Sequence, residues 1–157
     1  MRTYTYRATI EPGDEADWVV SFPDVPEAVT QAETVEGARI AAQEALGLAL
    51  LSYPARGRPL PQRRQGIATQ PSQTSGTSGL DISPAPDVTA KLAVLEAFAA
   101  SSRTREELAA MLGGKTDLEL RSILDPFDPT ELPLLAQALE ALGQKLVVGV
   151  APIDEAA

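Results

Sequence analysis

Carboxylates are the most obvious chemical groups of this 157-residue chain, and they cluster near its N-terminal end. Four acids fall between positions 11 and 17, and Asp24 and Glu27 follow in a proline-rich segment. A two-metal hydrolytic site needs several carboxylates that converge on the ions. The first four flank Pro12–Gly13, which is typical of a solvated hairpin tip, and Asp24 is most simply a turn former. We therefore predict no metal site here.

The other groups that catalysis commonly uses are missing from the sequence. The chain has no histidine and no cysteine, so it lacks the commonest general base, nitrogen ligand and thiolate nucleophile. Serines are plentiful, but no histidine is present to activate one. Neither a phosphate-binding loop nor a dinucleotide fingerprint occurs. We predict a protein that is not an enzyme and that needs no cofactor.

Charge and composition favour a protein partner. The formal net charge is −9, which makes the chain a poor non-specific binder of nucleic acid and a good partner for a basic protein. The N-terminal sequence MRTYTYRATIEPGDE has no apolar core of a signal peptide, and no apolar stretch is long enough to span a bilayer. With no cysteine, the chain suits a reducing compartment, so we predict a cytoplasmic protein without a membrane segment.

The first third of the chain predicts strands followed by a helix. Residues 2–11 place Tyr4, Tyr6, Ala8 and Ile10 on one face at a period of two. A second strand follows the Pro12–Gly13 turn, and Pro23 and Pro26 must end it near Asp24 because proline donates no backbone hydrogen bond. Thr34 is the predicted N-cap of an alanine- and leucine-rich helix.

The composition changes after Tyr53. From residue 54 to 86 the chain is rich in Pro, Gly, Ser, Thr, Gln and Arg, and Gln70–Gly79 is its most linker-like part. A strand that returns to the first domain could lie at Leu80–Pro84 or at Gln65–Thr69, and the sequence leaves this open. We expect proteolysis in this region to release two folded pieces.

Helical signals return in the C-terminal half. Asp87 is a predicted cap, and two capping boxes follow, Thr104 with Glu107 and Thr116 with Glu119. Gly113–Gly114 separates the two boxed helices, an arrangement typical of a helix-turn-helix. A further helix is predicted from Thr130 to Gly143, and the β-branched run Lys145–Val150 predicts a short terminal strand.

These patterns resemble the HicB-type antitoxins. The likeness lies in "YRATIEP…DWVVSFPDVPEAVTQ…LLSY…GRPLP" and in the later segments "AKLAVLEAF", "LAAMLGG" and "LRSILDP". The resemblance implies an α+β fold. Its first part is a partial RNase-H-like β-β-β-α-β domain (residues 1–69) that binds a small basic RNA-cleaving HicA-type toxin. A flexible linker (residues 70–86, which can include the returning strand) and a helix-turn-helix-like domain with a terminal strand (residues 87–151) follow. The second domain would dimerise and bind operator DNA.

The resemblance and the sequence patterns together predict three sets of site residues. For the toxin they are Tyr4, Tyr6, Trp18, Val20, Phe22 and Asp24. If Tyr4, Tyr6, Trp18 and Val20 share the sheet face opposite the helix, that face is the expected binding surface. For DNA they are Thr104, Lys115, Thr116 and Arg121. For the homo-oligomer they are Leu146, Val147, Val148 and Val150. Trp18 could instead be a half-buried sheet residue.

The charge of the C-terminal part weakens the case for DNA. Residues 81–157 hold six lysines and arginines against thirteen aspartates and glutamates. That part could be a packing module without operator contact. The alternatives for the whole chain are a stand-alone transcriptional regulator with a ligand- or partner-sensing first domain, and an adaptor.

Overall fold

The sheet of the first domain has four strands that all run antiparallel to their neighbours. The computed structural model describes residues 2–15, 17–63 and 78–152. The strands are β1 (Tyr6–Pro12), β2 (Trp18–Ser21), β3 (Val29–Ala32) and β4 (Ser78–Ile82). Their spatial order is β3-β2-β1-β4. The predicted α+β class is confirmed, because five helices accompany this sheet in the part of the chain that the structure describes.

One helix covers one face of the sheet. Helix α1 (Val35–Ala55) begins at Thr34, whose hydroxyl accepts a hydrogen bond from the backbone N–H of Gly37 at 3.0 Å, as the sequence predicts. Its buried residues pack against alternate residues of the strands. We call this cluster the first core; its central members are Tyr6, Ala8, Ile10, Val20, Phe22, Ala38, Ala42, Leu46 and Leu50.

The returning strand is β4, which corresponds to the first of the two alternatives. It pairs with β1 from Tyr6 opposite Ile82 to Ile10 opposite Ser78, and Ile82 is buried in the first core. The other candidate, Gln65–Thr69, lies outside the described residues. Residues 64–77 therefore join α1 to β4, two elements of one sheet-and-helix unit, rather than one unit to the next.

Four helices form the second half. They are α2 (Pro86–Ser101), α3 (Arg105–Met111), α4 (Asp117–Leu124) and α5 (Leu132–Ala141). Asp87 lies in the first turn of α2 rather than at its cap, and α5 begins after Glu131 rather than at Thr130. A second core lies between α2, α4 and α5; its fully enclosed members include Ala90, Val94, Ile123, Leu135 and Leu139.

Helix α2 belongs to both cores. Leu92 and Leu95 lie in the first core, whereas Val94 and Ala97 lie in the second. A helix that is apolar on all sides is typical of a position between two packed layers. Only Ser83–Ala85 separate β4 from this helix, so the sheet unit and the helical unit are joined by shared packing.

The predicted terminal strand is wrong for the single chain. Residues 144–152 have no strand, and Val147, Val148 and Val150 are 63%, 65% and 100% exposed. Leu146 alone of these apolar residues packs against the second core. A strand needs a neighbouring ladder for its backbone groups, and none of the described segments pairs with this one.

Candidate partner-binding surfaces

Four of the six side chains predicted to contact a toxin are core residues. Tyr4, Tyr6, Val20 and Phe22 are only 5%, 4%, 0% and 2% exposed, and they belong to the first core. They lie on the face that α1 covers, so the condition that Tyr4, Tyr6 and Val20 share the opposite face is not met. Period-two alternation separates two faces, and the apolar, aromatic set takes the face that the helix covers.

The two buried tyrosines use their hydroxyl groups for internal hydrogen bonds. The Tyr4 hydroxyl donates to Glu96 Oε2 at 2.6 Å, and Arg2 Nη1 reaches the same oxygen at 3.1 Å. Burial and this carboxylate raise the pKa of Tyr4 far above its ordinary value. The Tyr6 hydroxyl donates to the carbonyl oxygen of Pro61 at 2.9 Å. Tyr4 thus joins the N-terminal segment to α2.

Trp18 and Asp24 lie closer to the surface. Trp18 is partly buried against the first core and pairs with Pro12 and Ala32 across the sheet. Asp24 is half-buried in the turn after Phe22, which the backbone N–H of Val25 closes by donating to the Phe22 carbonyl at 3.0 Å. Their predicted contact with a partner stays a prediction.

The sheet has an uncovered side, which we call the open face. Val29 is its most exposed apolar residue, at 58%. Arg7 and Asp81 form an ion pair of 3.2 Å at one edge, and both side chains are largely exposed, so the pair adds little stability. The register places on this face Arg7, Thr9, Glu11, Val19, Ser21, Val29, Gln31 and Asp81.

Of the four predicted DNA contacts, Lys115 and Thr116 lie at the α3–α4 turn, Arg121 lies within α4, and Thr104 lies at the far end of α3. Both capping boxes are confirmed: Thr104 and Thr116 accept from the N–H of Glu107 and Glu119, and each carboxylate bonds back to its threonine's N–H. Lys115 Nζ donates to Glu119 at 3.3 Å. The hydrogen bonds from Thr116, and then Lys115, lower the pKa of Glu119.

Arg121 lies within α4 itself and is exposed. Between the helices, Gly113 and Gly114 have φ of 80° and 77°. This left-handed region favours glycine, so the two adjacent glycines in the sequence were enough to predict the turn.

A buried lysine was missed from the sequence. Lys91 is 4% exposed, and its ammonium donates to the carbonyl oxygens of Ser122, Ile123 and Asp125 at 2.6, 3.3 and 3.1 Å and to the Thr130 hydroxyl. The group therefore ties α2 to the C-terminal end of α4 and to the segment that follows it. Burial lowers the pKa of Lys91, and nearby carboxylates oppose this shift. No local motif marks such a long-range contact.

Comparison with known proteins covers both halves of the chain. A family model described as the HicB-like antitoxin of bacterial toxin–antitoxin systems matches residues 5–70. Antitoxin HicB 1 of Photorhabdus laumondii is 31% identical over 96% of this chain and 89% of its own length. The chain belongs to the HicB antitoxin family. Antitoxin HicB of Escherichia coli K12 is 33% identical over 90% of this chain and 95% of its own.

A solved HicB domain covers a smaller part. The crystal structure of the N-terminal domain of Burkholderia pseudomallei antitoxin HicB aligns with 52% of this chain and 98% of its own, at 16% identity and a TM-score of 0.44. The family assignment therefore depends on the full-length relatives.

This HicB-family chain has a groove where its two units meet. The cavity of about 730 Å³ is lined by Leu60 of the segment after α1, by Leu95 and Phe98 of α2, and by Leu124 of α4. Arg2, Arg58 and Arg105 also line it, and we call the site the arginine groove. The arginine-rich composition of residues 54–86 did not predict that Arg58 lines one groove with Arg105, because the two residues lie far apart in the chain.

The carboxylates do not assemble into a metal site within the described ranges. No group of three or more acids close enough to hold an ion occurs in residues 2–15, 17–63 and 78–152. Across the same ranges, no helix has the length and apolar character needed to cross a membrane.

Proposed function

We propose that this chain is an antitoxin that binds a small basic HicA-type ribonuclease toxin and covers its active site. The observation that carries the proposal is the likeness to HicB antitoxins, which extends over 96% of the chain for one relative. The net charge of −9 supports association with a basic protein. A chain without cysteine also suits the bacterial cytoplasm, where such a toxin would act.

We place the toxin on the open face and its neighbouring turn. The face combines an exposed valine, Val29, with half-buried Val19 and a rim of acids that includes Glu11 and Asp81. An apolar centre with a charged rim is the usual anatomy of a protein interface. Neutralisation would then be steric, with no chemistry by the antitoxin.

Changing Val29 to arginine should weaken toxin binding by about tenfold or more. The substitution removes an apolar contact and places a positive charge against a basic partner, and each effect is of the order of 1 kcal/mol. Isothermal titration calorimetry against the co-purified toxin measures the change.

The matched control is Met111→Arg, which makes the same kind of change at a 44% exposed position on α3. It should leave toxin affinity within twofold. Equal losses in both variants would point to general charge rather than to the open face. If no HicA-type protein co-purifies with the wild-type chain, the stand-alone regulator becomes the better account.

The α3–α4 unit is our proposed helix-turn-helix for operator DNA. Helix α4 would enter the major groove, with Arg121 reading base edges and Lys115, Thr116 and Thr104 near the backbone phosphates. Thr104 and Thr116 use both the hydroxyl and the backbone N–H in their capping boxes, so they would fix the starts of α3 and α4 beside the DNA rather than donate to phosphate themselves. Autoregulation of its own operon follows from this role.

Arg121→Glu should weaken binding to the upstream promoter fragment by about tenfold or more, because a lost base contact is worth roughly 1–3 kcal/mol. Fluorescence anisotropy at fixed salt measures the affinity, and toxin binding should not change. Arg7→Glu on the open face makes the same charge change and should leave DNA binding unaltered. Equal weakening by both variants would show a non-specific charge effect, and no binding by wild-type protein at low salt would exclude the DNA role.

The apolar residues after α5 are our proposed dimer contact. Leu146, Val147, Val148 and Val150 form an extended apolar segment, and three of the four are more than half exposed. A two-fold dimer would bury them and add the few cations of two α3–α4 units on one DNA.

A further inference from the structure

Two apolar surfaces of this chain lack an occupant among the described residues. One is the C-terminal segment Leu146–Val150, which we call the apolar tail. The other is the arginine groove between the sheet unit and α2. Exposed apolar surface of this kind commonly marks an interaction site.

The arginine groove has the size and chemistry of a site for an amphipathic segment. Its volume of about 730 Å³ lies within the roughly 300–1,000 Å³ range of binding clefts. Leu60, Leu95, Phe98 and Leu124 supply an apolar lining. Arg58 and Arg105 are exposed, whereas the acid in the wall, Glu96, is already bound by Arg2 and Tyr4. The groove is therefore apolar with a positive rim.

The apolar tail has the complementary character. Val147, Val148 and Val150 have no strand or core partner within residues 2–15, 17–63 and 78–152, and their side chains are exposed. In the sequence, the acids Asp154 and Glu155 follow them closely. A segment that is first apolar and then acidic matches a groove that is apolar and rimmed by arginine.

We propose that the apolar tail of one copy lies in the arginine groove of a second copy, and that the exchange is reciprocal. Such an exchange closes a two-fold dimer, because each copy gives one tail and receives one. The inference rests on the proposed dimerising role of the tail and names its receptor. It differs from a pairing of the two tails as strands, which would leave the groove unused.

Two full-length variants test the exchange. The groove variant carries Arg58→Glu and Arg105→Glu, so that its rim repels the acids that follow the apolar tail in the sequence. The tail variant carries Val147→Lys and Val150→Lys, so that its tail repels an arginine rim. All four positions are exposed, and the folded state is checked by circular dichroism and melting temperature. A control with Arg7→Glu on the open face and Arg39→Glu on α1 makes the same charge change at residues that do not line the groove.

Size-exclusion chromatography with light scattering gives the masses. We expect wild-type and control proteins to be dimers, and each test variant to dimerise at least tenfold more weakly. An equimolar mixture of the two test variants should regain the dimer mass as a one-to-one heterodimer. There the intact tail meets the intact groove, and the lysine tail meets the glutamate groove.

Other outcomes distinguish a failure of the tail-in-groove exchange from a failure of the dimerising role of the tail. A groove variant that stays dimeric, or a mixture that fails to form heterodimer, overturns the tail-in-groove exchange. If the tail variant alone stays dimeric, or if the wild type is a monomer, the dimerising role of the tail fails as well. If the groove variant does not fold, Arg58→Ala with Arg105→Ala replaces it. Unchanged dimerisation of that milder variant contradicts the exchange, and weakened dimerisation supports it.

Discussion

Replacing Lys91 by methionine should lower the free energy of unfolding by about 3 kcal/mol. Methionine keeps much of the length of the side chain but cannot donate a hydrogen bond. The carbonyl groups of Ser122 and Asp125, which the ammonium contacts at 2.6 and 3.1 Å, would lose their charged donor. A buried acceptor left without its partner loses about 1–3 kcal/mol, and more than one acceptor is affected here.

Lys91→Met should speed amide hydrogen exchange near α4 and lower the stability of the whole chain. Amide exchange should accelerate at the C-terminal end of α4 and in the segment to Thr130, because Lys91 holds both to α2. A loss of 3 kcal/mol corresponds to a fall in melting temperature of roughly 6–12 °C for a chain of this size. Denaturant unfolding with unchanged slope would show that stability, and not compactness, has changed.

Lys115→Met is the matched control. Lys91 has four hydrogen-bond partners, whereas Lys115 pairs with the carboxylate of Glu119 at 3.3 Å and is half-exposed between two helices. Exposed pairs of this kind contribute about 0–1 kcal/mol, so this variant should remain close to wild type. If Lys91→Met is no more destabilising than Lys115→Met, the buried ammonium does not hold α4.

Capping was predictable because it is local. The pairs Thr104–Glu107 and Thr116–Glu119 each lie three residues apart, and the hydrogen bonds that define a capping box form within that span. The positive φ of Gly113 and Gly114 follows from the same short-range logic. Caps and turns depend on residues that are close in the sequence, so the sequence alone locates the α3–α4 turn.

The identity of the buried sheet face was harder to read. Tyr4 and Tyr6 alternate with polar residues, and this pattern does not say which face a helix covers. The aromatic side chains are amphipathic, so they suit an interface as well as a core. Which face is buried depends on the packing of α1, whose residues are far from β1 in the sequence. Interface residues chosen for their aromatic character were therefore mostly core residues.

The role of α2 also depends on non-local packing. The sequence predicted one apolar face through Leu92 and Leu95, whereas Val94 and Ala97 form a second face that packs on α5 and α4. The low-complexity composition of residues 70–86 predicted a linker that can include the returning strand. That strand is β4, and the alternation of Leu80 and Ile82 that places it in the sheet is only three residues long.

A single backbone cut between residues 64 and 77 should leave the two fragments bound to each other. The cut would separate α1 from β4 in the chain, yet β4 pairs with β1 over five residues and Leu92 and Leu95 remain in the first core. A site for a specific protease, placed within Gln70–Gly76, makes the cut. Native chromatography should give one peak at the intact mass, and a denaturing gel should give two bands.

Substitutions in β4 should change how strongly the two fragments associate. Ile82 is 6% exposed and contributes to the first core, so Ile82→Asp should cause the cut protein to separate while the uncut protein is only destabilised. Asp81→Ala, on the open face of the same strand, is the matched control and should leave the cut protein associated, because its ion pair with Arg7 is exposed. Two separate folded fragments from the cut wild type would contradict shared packing and restore an independent two-domain chain. Fragments that stay associated would instead show that the sheet unit, where we place the toxin, and α4 belong to one packed unit, because α2 contacts both.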